Sequence, residues 1–192
     1  MAASSTSSEQ RADGRVRCSW ATSAPEYLVY HDEEWGQPVR QDAALYERMT
    51  LESFQSGLAW LTILRKRENF RAAFEGFDPD VVADYGPPEI DRLMTDPGIV
   101  RNRKKIEAAI GNARAIGGLD GSLTDLLWSF APSHETPAPR SMADVPAKTL
   151  ESTAMAKRLK ALGFTFLGPT TCYALMQATG IVNDHVAGCW RR

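Results

Sequence analysis

The sequence predicts an all-α fold, built from eight or more short helices. Apolar residues recur every three or four positions over several segments, whereas no segment shows the sustained apolar–polar alternation typical of strands. Glycine and proline residues separate these segments at short intervals, as helix ends require. A chain of 192 residues suits one domain, which buries roughly 70% of the surface of its unfolded form.

The chain order of the predicted elements follows from these patterns. Residues 1–15 are rich in Ser, Ala and charge, so we expect a disordered tail before one folded domain over residues 16–192. The helical pattern over residues 42–67 is interrupted at Gly57, which predicts two consecutive helices. Further helices are predicted over residues 69–77, 81–85, 89–94, 101–116, 123–130, 145–162 and 169–179. Residues 131–140 contain three prolines and are predicted to form a loop.

Composition and charge narrow the class of protein. Three cysteines without paired spacing, and no apolar run of membrane-spanning or secretory length, lead us to expect a cytoplasmic protein with no membrane partner. A formal net charge of −2 argues against a basic surface that covers the whole molecule. Basic residues are nevertheless dense at 65–67 and 101–105, so a polyanion would be bound locally.

Four potential metal ligands lie near the two ends of the chain: Cys18, His31, His185 and Cys189. Two thiolates and two imidazoles match the tetrahedral ligand set of zinc, and a four-residue spacing places His185 and Cys189 on the same side of a helical turn. Such a site would join the termini, and it would be structural because four protein ligands leave no position for water. The alternative is that the cysteines are small buried hydrophobic residues and the histidines ordinary core or surface residues.

Large aromatic residues flank two of these ligands and one predicted helix junction: Trp20, Tyr30, Trp35 and Trp60. Glu52 lies in an otherwise apolar helix face, where an unpaired carboxylate costs several kcal/mol. Aromatic rings around a buried acid form a flat slot with a hydrogen-bond acceptor, the kind of site that binds a flipped nucleobase. The alternative is that the tryptophans belong to the core and that Glu52 binds a backbone donor or Arg65.

Residues 90–115 are predicted to form two helices joined by a tight turn at Pro97 and Gly98. A turn that leads into a helix N-terminus presents free backbone N–H groups to a phosphate, and nearby cations strengthen the attraction. The cations at this helix start are Arg101, Arg103, Lys104 and Lys105. The pattern is that of a helix-hairpin-helix, although Val100 stands where a second glycine is usual. The alternative is an ordinary solvated basic surface.

Several multi-residue motifs occur together, at residues 17–20, 30–36, 51–60, 66–71, 111–114 and 183–189. Their order and spacing closely resemble the bacterial DNA-3-methyladenine glycosylase I (Tag) family, from residue 16 to residue 189. The resemblance implies an all-α helix-hairpin-helix DNA glycosylase fold. It also implies that a structural zinc, bound by Cys18, His31, His185 and Cys189, joins the N- and C-terminal segments.

The resemblance further implies roles for individual residues. Glu52 would hydrogen-bond the methylated adenine, Tyr30 and Trp60 would line the pocket or stack on the base, and Trp20 and Trp35 would complete its wall. Leu58, beside Gly57 at the helix junction, is expected to fill the gap left by the flipped nucleotide. The DNA backbone is expected to meet Pro97, Gly98, Arg101, Arg103 and Lys104.

The expected activity is hydrolysis of the N-glycosidic bond of 3-methyladenine in double-stranded DNA by a monomeric enzyme, leaving an abasic site. The N3-methylated base is cationic in DNA and leaves as a neutral molecule, so no general acid is required. Related helix-hairpin-helix glycosylases place a catalytic Asp roughly one helix beyond the hairpin. Asp120, the carboxylate nearest to that place, has the sequence context of a turn residue. No lysine nucleophile is required either, so we expect a monofunctional enzyme in which Glu52 holds the base.

Two other classes of function remain open at this stage. A cysteine or zinc hydrolase would use Cys189 with His185, but it would leave Glu52 and the aromatic residues unexplained. A noncatalytic module that binds damaged DNA would keep the pocket and the basic hairpin and would release no base.

Overall fold

The computed structural model of the protein describes residues 8–10, 13–134 and 136–192, and of residues 8–10 only the backbone. Within these ranges the α-helices are α1 (Pro25–Glu33), α2 (Asp42–Gln55), α3 (Trp60–Ala73), α4 (Pro79–Ala83), α5 (Pro87–Thr95), α6 (Arg103–Gly117), α7 (Leu123–Trp128), α8 (Leu150–Ala161) and α9 (Pro169–Ala178). Short 3₁₀ helices occupy Ser19–Thr22, Glu75–Phe77 and Met142–Asp144. None of the helices in the described ranges is long and apolar enough to cross a membrane. The predicted all-α fold is confirmed.

A small antiparallel sheet precedes the helices. Strand β1 (Ser8–Gln10) pairs with strand β2 (Val16–Cys18), and Ser8 lies opposite Cys18. Strand β2 is also tied to the C-terminal segment, because the Trp190 N–H donates to the Val16 carbonyl at 3.0 Å. Residues 8–10 fall in the segment that we expected to be a disordered tail, and this ladder explains why they are extended. Residues 1–7 and 11–12 of that segment lie outside the described residues.

The two helices predicted around Gly57 are α2 and α3. Gly57 has a φ angle of +83°, a left-handed conformation that favours glycine, and it separates the two helices. The separate helix predicted over residues 69–77 was wrong. Helix α3 continues to Ala73 because Phe70 and Ala73 lie on its buried face, and it gives way to the 3₁₀ turn at Gly76.

Other helix bounds also differ from the prediction, and one helix was not predicted. Helix α6 begins at Arg103 because the Asn102 side chain caps it, accepting from the Lys105 N–H at 3.2 Å. Helix α8 begins only at Leu150, since Thr149 is its N-cap. Helix α1 was not predicted, because it buries only two residues and its apolar pattern is correspondingly weak.

Helix α2 runs through the centre of the core and contacts α3, α6, α7 and α9. Its fully buried side chains are Leu45, Tyr46, Met49, Leu51 and Phe54. Burying each of them contributes roughly 1.5–3 kcal/mol, which fixes the rotation of the helix about its axis. Glu52 follows directly after Leu51 on this helix, so the packing of its neighbours holds a carboxylate inside the protein.

Candidate functional site

A cavity of about 290 Å³ opens between α1, α2, the start of α3 and α9. It is lined by Trp20, Tyr27, Tyr30, Trp35, Glu52, Gln55, Trp60, Met142, Ala174 and Gln177. All five residues that the sequence suggested for a base-binding slot therefore face one cavity.

The aromatic residues of the cavity pack against one another. Trp20 and Trp35 are edge-on, with ring centres 5.2 Å apart and an interplanar angle of 81°. Tyr30 and Trp60 have ring centres 5.5 Å apart, at an interplanar angle of 52°. Tyr27 extends this row of rings through an edge contact with Trp20, with ring centres 5.7 Å apart. Because each ring is held by another, the aromatic wall is fixed in shape before any ligand arrives.

Glu52 is the acidic group of the cavity, and only 6% of it is exposed. Burial raises the pKa of Glu52 to about 8, while the nearby charge of Arg48 lowers it; no hydrogen bond from the described residues stabilises the carboxylate. Arg65, the alternative partner suggested for Glu52, pairs instead with Glu26 at 2.8 Å. In the protein alone the carboxyl group is therefore mostly protonated at neutral pH, and a cationic ligand would favour its charged form.

A partly buried ion network supports the cavity from the side of Arg48. The Glu34 carboxylate accepts from Arg48 at 2.5 Å and from Arg67 at 2.6 Å, so two cations share one anion. The Arg48 guanidinium lies 6.0 Å from the centre of the Tyr30 ring. Burial and the charge of Glu52 raise the pKa of Tyr30, so its hydroxyl keeps its proton and stays a hydrogen-bond donor.

Five lining residues were missed by the sequence analysis: Tyr27, Gln55, Met142, Ala174 and Gln177. Gln55 lies three positions from Glu52 on α2, so helical spacing could have found it. Tyr27 lies three positions from Tyr30, but on α1, which was not predicted. The other three come from segments far away in the chain, and only tertiary packing brings them to the cavity.

The orientation of Gln177 is fixed from behind. Its Nε2 donates to Asp184 Oδ2 at 2.8 Å, and the Tyr173 hydroxyl donates to the same oxygen at 2.6 Å. A carboxylate only accepts hydrogen bonds, so the amide nitrogen must face Asp184. The side-chain oxygen of Gln177 is the end that remains for the cavity.

A second groove, of about 540 Å³, adjoins the cavity and shares Glu52 and Gln55 with it. Its far walls are the α2–α3 junction, with Gly57 and Leu58, and the first turn of α9. Leu58 is 40% exposed at the edge of this groove. A ligand that reaches the cavity through this groove passes Leu58.

The predicted tight turn lies between α5 and α6 and packs against α3. The Gly98 N–H donates to Asp96 Oδ1 at 2.7 Å, and Lys66 Nζ donates to the Pro97 carbonyl at 2.7 Å. A Cβ atom on Gly98 would lie 3.0 Å from Asn69 Cβ, so a larger residue would push the turn away from α3. The turn is thereby held at a fixed distance from the α2–α3 junction.

The basic residues after this turn differ in exposure. Three of them are exposed: Arg101, Arg103 and Lys104. Lys105 is buried, with Nζ 2.8 Å from the Phe54 carbonyl and 2.6 Å from the Ser56 carbonyl. Lys105, named with the other cations at this helix start but not among the expected DNA contacts, is thus no part of the exposed basic surface, because the inward face of α6 begins at this position.

The four predicted metal ligands converge in a buried cluster, and one ligand atom from each lies within 4.8 Å of all the others. Cys18 Sγ is 3.7 Å from His185 Nδ1, and Cys189 Sγ is 3.5 Å from the same nitrogen. Cys189 Sγ is 3.4 Å from His31 Nε2. Ligands of a tetrahedral ion with bonds of about 2.0–2.3 Å are separated by about 3.3–3.8 Å. The cluster could therefore bind a metal ion.

The predicted helical turn between His185 and Cys189 was wrong. The chain there forms a tight turn in which the Cys189 N–H donates to the Val186 carbonyl at 3.0 Å. Gly188, with a φ angle of +86°, reverses the chain and returns Cys189 to the cluster.

Neighbouring groups orient both imidazoles. His31 Nδ1 lies 2.8 Å from Asp32 Oδ1, and His185 Nε2 lies 3.2 Å from the Trp35 carbonyl. Each ring therefore has one nitrogen occupied and turns the other toward the cluster, as in protein metal sites. Arg17 is buried and pairs with Asp32 at 2.7 Å, which fixes the carboxylate that holds His31.

Comparison with known sequences agrees with this geometry. A family model described as methyladenine glycosylase matches residues 20–192. DNA-3-methyladenine glycosylase 1 of Escherichia coli (strain K12) is 45% identical over 178 residues, which are 90% of this chain and 95% of that protein. DNA-3-methyladenine glycosylase of Haemophilus influenzae is 41% identical over 180 residues, 91% of this chain and 96% of that protein.

Solved structures give the same result. A crystal structure of 3-methyladenine DNA glycosylase I (TAG) matches with a TM-score of 0.86 and 44% identity, over 91% of this chain and 98% of that chain. The enzyme from Staphylococcus aureus, solved to explain its recognition of 3-methyladenine, matches with a TM-score of 0.86 and 38% identity, over 91% and 95% of the two chains. Since sequence and fold agree over almost the whole length, the chain belongs to the methyladenine glycosylase family.

Proposed function

We propose that this protein is a DNA glycosylase that removes 3-methyladenine from alkylated DNA and leaves an abasic site. The observation that carries the proposal is Glu52, a buried carboxyl group to which none of the described residues donates a hydrogen bond, and which faces an aromatic cavity of about 290 Å³. A group of this kind is costly unless it serves a ligand. The relatives named for this activity support the same conclusion.

The cavity suits a methylated adenine in size and chemistry. Its volume is at the small end of the range for ligand sites, which fits one base and not a large cofactor. We assign Trp60 and Tyr30 to contacts with the faces and edge of the base, and Trp20 and Trp35 to the surrounding wall. Glu52 would accept from the exocyclic amine, and its charge would pair with the positive charge of the lesion.

The reaction needs little acid–base chemistry. The bond between the sugar C1′ and N9 breaks, its electron pair stays with the base, and the cationic base leaves as a neutral molecule. Water then adds to C1′ and gives a proton to solvent. Glu52 holds the departing base, and the DNA phosphates offset the positive charge that develops on the sugar. Among the described residues that line the cavity there is no lysine, so we propose hydrolysis by water without a covalent intermediate.

The DNA would be double-stranded and bound by one copy of the chain. The exposed Leu58, at the rim of the groove, would replace the flipped nucleotide in the stack. The turn at Pro97 and Gly98 would meet the backbone together with three exposed cations: Arg101, Arg103 and Lys104. These contacts position the duplex and carry no sequence information.

Zinc is the ion that we propose for the cluster of Cys18, His31, His185 and Cys189. Two thiolates and two oriented imidazoles suit it, and four protein ligands give it a structural role. It would hold the two ends of the domain together beneath the aromatic wall. A cytoplasmic location would keep both thiols reduced and able to bind it.

The deciding experiment measures base release. Duplex DNA that carries 3-methyladenine is incubated with the protein, and the free base and the abasic sites are quantified. We expect both products in equal amounts, and a much lower rate with Glu52→Gln. DNA binding without release of the base would indicate a noncatalytic damage-binding module. If alkylation of Cys189 in the folded, metal-loaded protein abolished base release, the result would favour the alternative of a hydrolase that uses Cys189 with His185.

A further inference from the structure

We propose that Lys105 is a positioning residue that sets the Leu58 loop relative to the DNA backbone. The proposal rests on the function proposed above and assigns a part in it to a residue outside the cavity. Lys105 belongs to the first turn of α6, where the exposed Arg103 and Lys104 are suited to phosphate contacts. Its own side chain points the opposite way, into the protein.

The Lys105 side chain caps the end of α2. Its Nζ donates to the Phe54 carbonyl at 2.8 Å and to the Ser56 carbonyl at 2.6 Å. Carbonyl groups at a helix C-terminus lack partners within the helix and carry partial negative charge. A buried ammonium group satisfies two of them and complements that charge.

The same carbonyls determine the path of the loop that carries Leu58. The Leu58 N–H donates to the Gln55 carbonyl, which lies between the two carbonyls held by Lys105, at 2.6 Å. Gly57 then takes a φ angle of +83°, and Leu58 is exposed directly after it. Three consecutive carbonyls, from Phe54 to Ser56, are thus fixed where α2 ends, and Lys105 holds two of them.

Lys105 also belongs to the rigid start of α6. The Asn102 side chain accepts from its backbone N–H at 3.2 Å. One residue therefore has its backbone at the helix end proposed to meet phosphate and its side chain on the loop proposed to enter the duplex. A shift of α6 toward the DNA backbone would be transmitted to Leu58 through the two hydrogen bonds that Lys105 Nζ donates.

Burial of the Lys105 ammonium group is energetically unfavourable. Lys105 is 7% exposed, and desolvation lowers its pKa, while an apolar side chain would pack there without that cost. Lys105 lines neither the cavity nor the adjoining groove. A lysine at this position supplies two hydrogen bonds to the carbonyls at the C-terminal end of α2, which an apolar side chain cannot do.

The test uses the full-length, metal-loaded protein and the variants Lys105→Met and Lys105→Gln. Lys157→Met, an exposed lysine on α8, is the control for loss of one charge. For Lys105→Met we expect at least a tenfold fall in kcat/KM on duplex DNA, affinity for free 3-methyladenine within twofold of wild type, and an unchanged salt dependence of DNA binding. Lys105→Gln, which keeps one donor, should recover part of the rate, and Lys157→Met should match wild type.

A double-mutant cycle with Leu58→Gly separates positioning from simple support of the fold. Leu58→Gly alone should slow excision from duplex DNA and leave free-base affinity intact, and adding Lys105→Met should then cost less than twofold more. Additive losses, or parallel losses of free-base affinity and excision, would overturn the proposal, as would failure of both Lys105 variants to fold. A wild-type protein that releases no base would instead refute the proposed function.

Discussion

The Trp35 ring packs edge-on against the His185 imidazole, with ring centres 4.6 Å apart, and the Trp35 carbonyl lies 3.2 Å from Nε2 of the same histidine. Trp20 has a similar edge contact with His31 at 5.3 Å. Two walls of the cavity therefore rest on two members of the Cys/His cluster. A Cβ atom on Gly36 would approach His185 Nε2 to 2.9 Å, so only glycine allows this fit. The shape of the cavity depends on the cluster beneath it.

The first prediction concerns the metal. Cys189→Ser should abolish binding of one zinc per chain and lower Tm by about 10 °C, because the loss of several kcal/mol of metal binding destabilises the folded state. Elemental analysis and thermal unfolding measure the two effects. Cys172→Ser is the matched control, since Cys172 is buried outside the cluster. This variant should still bind one zinc per chain. The assignment would be contradicted if purified wild-type protein contained no zinc, or if wild type and Cys189→Ser had equal Tm values.

The second prediction is that Glu52→Gln stabilises the fold in a pH-dependent way. The folded pKa of about 8 lies above the unfolded value of 4.5, so below pH 4.5 both states hold the proton and the variant gains nothing. Between these values the unfolded chain releases the proton first, and wild-type stability falls as pH rises. Above pH 8 the advantage of the variant should be greatest, on the order of 5 kcal/mol. Urea unfolding at pH 5 and pH 8.5 tests this, and equal differences at both pH values would count against it.

The third prediction concerns substrate choice. Glu52→Gln loses the charge that pairs with the cationic lesion, and it weakens the acceptor for the exocyclic amine, which the neutral free base keeps. Excision and binding of free 3-methyladenine should therefore weaken together while zinc content is retained. Wild-type kcat/KM should rise between pH 6 and pH 8, because Glu52 must lose its proton to pair with a cation, and then level off. The variant should show no such rise. Intact base affinity with abolished excision would point to a true acid or base at this position.

Glu33→Gln provides the control for that experiment. Glu33 is exposed on α1 and does not line the cavity, so the activity and pH profile of Glu33→Gln should match those of wild type. A wild-type rate that falls as pH rises through 8 would indicate a catalytic acid, and the mechanism proposed for Glu52 would then be wrong.

The fourth prediction concerns the DNA backbone. Arg103 is exposed and pairs with Asp91 at 2.8 Å, an interaction that a phosphate could replace. Arg103→Glu should weaken binding to any duplex and reduce the slope of log K against log salt by about 1 or more. Titrations at several salt concentrations measure the slope, with Lys157→Glu on α8 as the control. Equal slopes for wild type and Arg103→Glu would remove Arg103 from the interface.

Much of this protein is encoded locally in its sequence. Apolar spacing and glycine breaks predicted α2, α7 and α9 closely, because a helix is determined by neighbours three and four residues apart. Residue chemistry also singled out the Cys/His cluster and Glu52, since a carboxylate in an apolar helix face needs a partner. Local patterns failed for α1 and for the turn before Cys189, where contacts with distant segments decide the conformation.

Only the tertiary structure decided how these groups act. Lys105 and Lys104 are adjacent cations in the sequence, yet one caps α2 and the other faces solvent. Gln177 reaches the cavity because Asp184 orients it, and no spacing indicates that. The raised pKa of Glu52 likewise depends on what surrounds it. Sequence spacing determines which residues share a face of one helix, whereas burial, pairing and charge depend on segments that meet only when the chain has folded.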